Sequence, residues 1–324
     1  MATMLKKLRA AKETATWKER KAERKERRSG YEVVPTSYTS LPVRLPDDFL
    51  QPLDDEERKR IVVNKIKFEN TNLPEYKGCY ALVLDNVLTE EECELMVGMA
   101  EMSAGAHGNA EGEAVVENDG WRPAMVNAGV GREFLATEYR NSDRIIWDEK
   151  EVVGRLWKRV CQAEVVEEDI ALLEGEKWKW LLGPWAVRRG EKWKVTERGL
   201  NERMRFLRYG SGQYFKDGTY GNAEGEQSFF TIHVYFNDSA QELEKEGKVP
   251  PKGMLRGGAT TFHSTDMKER LDVDPKIGRV LIFQHRRLLH SGDNVVEGIK
   301  LTMRSDIMYK LEVPEDDGGV VFGE

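Results

Sequence analysis

Cysteine is scarce in this chain. Its 324 residues carry 3: Cys79, Cys93 and Cys161, far apart and without a C-x-x-C pair. That spacing argues against a zinc ribbon and against a disulfide framework. Isolated thiols fit a reducing, intracellular compartment, cytoplasmic or nuclear. No apolar run reaches the roughly eighteen residues of a membrane span, so no membrane partner is expected. The N-terminal stretch is charged and lacks an apolar core, so we expect no secretory signal. The net charge of −7 gives no overall reason to expect nucleic acid as the main partner. Histidine is also rare, at 5 residues, and four of these (His233, His263, His285, His290) fall between residues 203 and 309.

An apolar content of 40% allows a sizeable core, and 33% charged residues predict a soluble chain. The length suits one large domain or two small ones. Residues 1–30 carry the run K-E-R-K-A-E-R-K-E-R-R up to Arg28, with Leu5, Leu8 and Trp17 as the bulky apolar groups. They bury too little to fold alone, so we read a basic, disordered tail. A nuclear-import or nucleic-acid-contacting arm is the sharper alternative, and the tail is the one place where nucleic acid would bind. Residues 31–77 read as a linker with a short helix near Asp54–Arg60. A strand is predicted at Tyr80–Leu84. Thr89 and Glu92 then form a capping box for a helix burying Leu95, Met96, Met99 and Ala100. Gly105–Asp119 reads as a loop, with His107 exposed. Asp148 is placed to cap a helix whose buried face is Val152, Val153, Leu156, Trp157 and Val160. Residues 174–200 form an insertion rich in tryptophan (Trp178, Trp180, Trp185, Trp193). These rings either pack against the neighbouring domain or line a rim that holds a substrate chain or a base. Gln241–Lys252 reads as an exposed charged loop, and 313–324 as an acidic tail.

The stretch 203–310 differs in kind. It runs M-R-F-L-R-Y-G-S-G-Q-Y-F-K-D-G, then S-F-F-T-I-H-V-Y-F-N-D, then G-G-A-T-T-F, and ends V-L-I-F-Q-H-R-R-L-L-H-S-G-D-N-V-V-E-G-I-K. Short apolar or alternating runs punctuated by Gly, Asp, Asn and Pro predict many antiparallel strands. The fold expected is mainly β with flanking helices, with a jelly-roll or related barrel at its core. Alternation puts Lys300, Thr302 and Arg304 on one strand face, and Thr231, His233 and Tyr235 on another.

In order and spacing these motifs resemble the catalytic domain of iron(II)/2-oxoglutarate-dependent dioxygenases, the prolyl 4-hydroxylase-like branch most closely. The resemblance covers roughly residues 78–312 and implies a double-stranded β-helix. It implies Fe(II), 2-oxoglutarate and O2, with ascorbate as reductant, and hydroxylation of a protein prolyl residue or a small molecule. His290 in L-L-H-S-G would be the distal iron ligand. Lys300, ten residues later, would hold the far carboxylate of 2-oxoglutarate, with Arg304 as a second candidate and Tyr209, Thr231 and Tyr235 nearby. Gly257 and Gly258 would serve a hairpin. His263 and His285 are left at the rim or surface. One departure stands out. Where the family has His-x-Asp-Gly after Y-F-K, this chain has Lys216-Asp217-Gly218. Asp217 matches the carboxylate ligand, and the first histidine is missing. A sequence-level deletion, an inactive homologue that binds without catalysing, and substitution by His233 all stay open.

Overall fold

The computed structural model describes residues 31–105, 119–129, 131–136, 141–210, 215–216 and 226–312. The two tails, His107 and Asp217 lie outside the described residues.

Residues 31–77, read as a linker, instead join the domain. The strand β1 (Val33–Pro35) pairs with Arg132–Phe134. A short helix, α1 (Asp55–Arg58), is capped by the Asp54 side chain, and the Asp54 N–H donates to the Glu57 carboxylate. Next, β2 (Val62–Lys65) adds to the edge of the main sheet. Phe49, Leu50, Phe68 and Leu73 are almost fully buried. Isolated apolar residues among polar ones gave no period to read, yet each fills a gap in the core.

β3 (Ala81–Asp85) leads into α2 (Glu90–Ser103), whose capping box of Thr89 and Glu92 is present. Its buried stripe is Cys93, Met96, Met99 and Ala100, whereas Leu95 is exposed. Then come β4 (Arg122–Pro123), β5 (Val126–Gly129), β6 (Arg132–Phe134) and β7 (Asp143–Asp148). The cap of α3 (Lys150–Cys161) is Glu149, not Asp148, because Asp148 ends β7 and pairs with Arg203. The buried face of α3 is the predicted one. Next come α4 (Glu164–Ile170) and β8 (Leu172–Leu173), and the insertion supplies α5 (Lys179–Leu182), α6 (Pro184–Arg188) and β9 (Trp193–Leu200).

The C-terminal half builds β10 (Arg203–Tyr209), β11 (Phe215–Lys216), β12 (Gln227–Tyr235), α7 (Ala240–Lys245), β13 (Arg256–Gly257), β14 (Thr260–His263), β15 (Arg270–Val273), β16 (Val280–Gln284), β17 (His290–Gly292), β18 (Val295–Glu297) and β19 (Lys300–Leu311). The α7 helix replaces the first half of the expected exposed loop. Its Glu242 is buried because it pairs with Arg279.

All the strand pairs are antiparallel among the described residues. The main sheet runs β2-β3-β16-β12-β19-β10-β7-β4, and a second, four-stranded sheet runs β11-β17-β14-β15. The two sheets face each other. Phe262 of β14 packs edge-on to Phe283 of β16, and the Tyr235 hydroxyl lies 2.6 Å from Thr260 Oγ1. The other face of the main sheet carries Phe206, Phe230, Ile232 and Met303 into a core shared with α2 and α3. Strand alternation therefore divides the residues. One face supports the helices, and the other looks into the space between the sheets.

Among the described residues, no helix is long and apolar enough to cross a membrane.

Candidate functional site

The inner face of the main sheet is read from its register. Tyr209 lies opposite Lys300, and Arg205 opposite Arg304. Tyr235 lies opposite Thr302, His233 opposite Arg304, and Thr231 opposite Asp306. Paired residues share a face, so these side chains form successive rungs on one wall. Lys300 and Arg304 are four residues apart, about 13 Å along the strand.

Lys300 occupies the first rung. It is only 3% exposed. Its ammonium sits 5.2 Å from the ring centre of Tyr209 and 5.6 Å from that of Tyr235. No carboxylate lies within ion-pair distance of it among the described residues. Burial pushes its pKa down to about 8, and Asp293 partly offsets this. Gly258 makes the room. Its φ is +74°, and a Cβ there would stand 3.1 Å from Lys300 Cδ. The hairpin glycine thus has a second role, keeping the lysine stem unobstructed.

His290 opens β17 on the facing sheet, opposite Phe262. Its ring meets Phe283 at 4.5 Å between centroids, which places it between the sheets. Its Nδ1 lies 2.8 Å from the Leu288 carbonyl. Donation there selects the tautomer whose lone pair is on Nε2, the arrangement that suits a metal ligand. His233 faces the same interior. Its ring lies 6.2 Å from Phe283, and its Nδ1 is 3.4 Å from Thr260 Oγ1. Among the described residues, no group of three or more His, Cys, Asp or Glu side chains could hold a metal ion.

Arg304 and Thr231 belong to a second cluster rather than to the surroundings of Lys300. Arg304 Nη2 donates to Thr231 Oγ1 at 3.1 Å, and Thr231 donates to Asp306 Oδ1 at 3.3 Å. Arg205, Arg304 and His285 stand 3.8, 3.7 and 3.3 Å from the carboxylate of Asp306. The burial of Asp306 acts against ionisation, but His285 and both guanidiniums hold its carboxyl down at about 2. His285, expected at the rim, is buried here because Asp306 gives its ring a charged neighbour. Asp306 and Arg205 were missed in the sequence. The signal was available, because Asp306 continues the same alternation as Lys300, Thr302 and Arg304. His263 lies on the outer side of the second sheet, with Nε2 2.7 Å from Ser291 Oγ.

A groove of about 560 Å³ is lined by Lys65, Glu242, Asp272 and Arg279 among others, and its Val273 is the strand partner of Thr260. Arg279 pairs with Glu242 there, while Lys65 pairs with Asp169 and Asp272 with Arg270.

Two facing antiparallel sheets with few helices define a β-rich, jelly-roll-like fold. No family model matches the chain, and no curated protein does. Among solved structures it is similar to a viral collagen prolyl hydroxylase from Paramecium bursaria Chlorella virus 1 in a 2-oxoglutarate complex. The identity is 18%, covering 70% of this chain and 95% of that one, with a TM-score of 0.38. A prolyl-4-hydroxylase of Pseudomonas putida matches at 9% identity, covering 70% and 91%, with a TM-score of 0.40. A Trichoplax adhaerens prolyl hydroxylase in complex with a hypoxia inducible factor peptide fragment matches at 12% identity, covering 70% and 82%, with a TM-score of 0.39. These superpositions are loose, so the functional reading rests on the residues themselves.

Proposed function

We propose that the chain is an iron(II)- and 2-oxoglutarate-dependent dioxygenase of the prolyl 4-hydroxylase-like type, built on a double-stranded β-helix. The order β16-β12-β19-β10 facing β11-β17-β14-β15 supports that architecture. The observation that carries the chemistry is Lys300, a buried ammonium facing the interior with no carboxylate within ion-pair distance among the described residues. Burying a lone cation is costly unless a counter-charge arrives. The far carboxylate of 2-oxoglutarate would supply one, and the rings of Tyr209 and Tyr235 would exclude water around it. The keto acid end would then point toward the facing sheet and His290.

His290 and Asp217 are the metal ligands of this reading. Asp217 follows Lys216, which pairs with Ser291, the residue after His290. The Leu288 carbonyl would orient His290 for coordination. Iron(II), 2-oxoglutarate and dioxygen would together supply the oxidising power for hydroxylating a C–H bond, with ascorbate as reductant. The chain's own contribution is to hold both ends of the co-substrate and to keep water out. A protein prolyl residue and a small molecule remain the two substrate classes.

The test is an anaerobic titration of iron(II) and 2-oxoglutarate, followed by the absorption band of the chelated pair. The reading expects a band that His290→Ala abolishes. If His233 completes the ligand set, His233→Ala removes it too. A second reading, a catalytically inactive protein that binds through this fold, is favoured by the missing first histidine. It expects no band. Restoring a histidine-containing tripeptide before Asp217 would then create one.

A further inference from the structure

The tryptophan-rich insertion is split by the fold. Trp178 is 5% exposed, and the Trp193 ring packs edge-on to Phe229 at 5.3 Å. Trp180 and Trp185 are 68% and 67% exposed. They lie on consecutive short helices, α5 and α6, joined by Gly183. Indole is the largest apolar side chain, and leaving two of them in water is unfavourable unless something covers them.

Each exposed ring carries a guanidinium. Arg287 stands 4.4 Å from the Trp180 ring centre, and Arg188 stands 5.1 Å from that of Trp185. Arg286, next to Arg287, donates to the Leu181 carbonyl at 2.9 Å and fastens the insertion to the turn after β16. Among the described residues, no carboxylate lies within ion-pair distance of Arg188, Arg286 or Arg287. The neighbouring cations are different: Lys179 pairs with Glu176, Arg189 with Glu191, and Lys192 with Glu174. Arg287 has a φ of +64°, a left-handed conformation unusual for a residue with a side chain. Such backbone is kept where the surroundings demand it. Three residues on, the same turn delivers His290.

We propose that Trp180, Trp185, Arg188 and Arg287 form a docking surface for an acidic segment of a partner polypeptide, beside the turn that leads to His290. Tryptophan and arginine are the side chains that most often dominate protein interfaces. The stacked guanidiniums present their edges to carboxylates, which they grip in a two-pronged fashion. A nucleic-acid strand fits less well. It needs cations tracking a continuous backbone, and here Glu174, Glu176 and Glu191 interrupt them. This surface lies outside the barrel and does not depend on the oxygenase reading.

The test is fluorescence anisotropy of a labelled random Glu–Tyr copolymer with the full chain at physiological salt, without iron or 2-oxoglutarate. A Lys–Tyr copolymer and a short oligothymidylate serve as opposing probes. The copolymer of glutamate is expected to bind at least about tenfold more tightly than either. Both W180A/W185A and R188E/R287E should weaken it about tenfold or more. All four side chains are exposed, so circular dichroism and the melting temperature should not change. Equal binding of the oligonucleotide assigns the surface to nucleic acid and overturns the proposal. So does absence of binding, or binding that neither double variant alters. If the copolymer binds only after residues 313–324 are removed, the occupant is the chain's own Glu315-Asp316-Asp317 and the partner is dispensed with.

Discussion

Two buried cations, Lys300 and Arg279, sit at strand beginnings only twenty-one residues apart in sequence, and the fold treats them in opposite ways. Arg279 is enclosed by acceptors. Its Nε and Nη2 reach Asp85 at 2.6 and 3.0 Å, Nη2 reaches Glu242 at 3.1 Å, and Nη1 reaches the Asp274 carbonyl at 2.7 Å. Burial pulls its pKa down, but Asp85 and Glu242 outweigh this and raise it. Lys300 has two aromatic rings and a pKa lowered by burial. One cation ties β16 to β3 and α7. The other is held at a cost that folding alone does not repay. On the proposed reading, that difference is what a residue kept for a ligand would show.

Breaking the structural member should have the largest effect on stability. Arg279→Met removes the guanidinium that bridges Asp85 and Glu242 and leaves them only Lys276, at 3.9 Å, and Lys245, at 2.7 Å, so the loss should fall at the lower end of the about 3–5 kcal/mol typical of a broken buried pair. Chemical denaturation should show this as a lower midpoint with an unchanged slope. Lys300→Met should do the reverse. Because the folded pKa lies below the usual 10.5, at about 8, the charge destabilises the fold at every pH below about 8. That penalty is relieved as pH rises from about 8 to 10.5. At about 1.36 kcal/mol per pH unit, removing the charge should stabilise the ligand-free protein at pH 7 by up to about 3 kcal/mol. The same variant should bind 2-oxoglutarate about 100-fold more weakly, as expected for losing a charge-assisted bond. Thermal melts with and without 2-oxoglutarate read both effects.

A subtler way to separate the two cations is pH. Anion binding needs Lys300 protonated, so 2-oxoglutarate affinity should fall by up to about tenfold per unit above pH about 8. A calorimetric pH series would show it, and a flat profile would speak against Lys300. The smallest effect is expected from Gly258→Ala. Left-handed backbone with a side chain costs roughly 1–2 kcal/mol, and the added methyl crowds Lys300 Cδ. Affinity should drop severalfold with a modest loss of melting temperature.

Much of this was legible in the sequence where a period or a spacing existed. The alternation of β12 put Thr231, His233 and Tyr235 on one face, that of β19 put Lys300, Thr302 and Arg304 on one face, and the register sets these faces on one wall. Thr89 and Glu92 announced the start of α2. Apart from Asp306, most of what failed had no local signal. Residues 31–77 look polar because their few apolar groups are spread out, each meeting a different neighbour. His285 reads as a rim or surface residue, since only the fold brings Asp306 beside it. The separation of Trp178 and Trp193 from Trp180 and Trp185 depends on which rings meet the sheet, and composition does not carry that.

The most direct measurement is a calorimetric titration of 2-oxoglutarate into the protein at pH 7, with iron(II) and without oxygen, for the unaltered chain and for Lys300→Met. The account predicts saturable, one-to-one binding that the substitution weakens about 100-fold while raising the melting temperature of the ligand-free protein. Equal affinity for the two proteins, or no binding to the unaltered chain, would contradict the claim that Lys300 is held for this ligand.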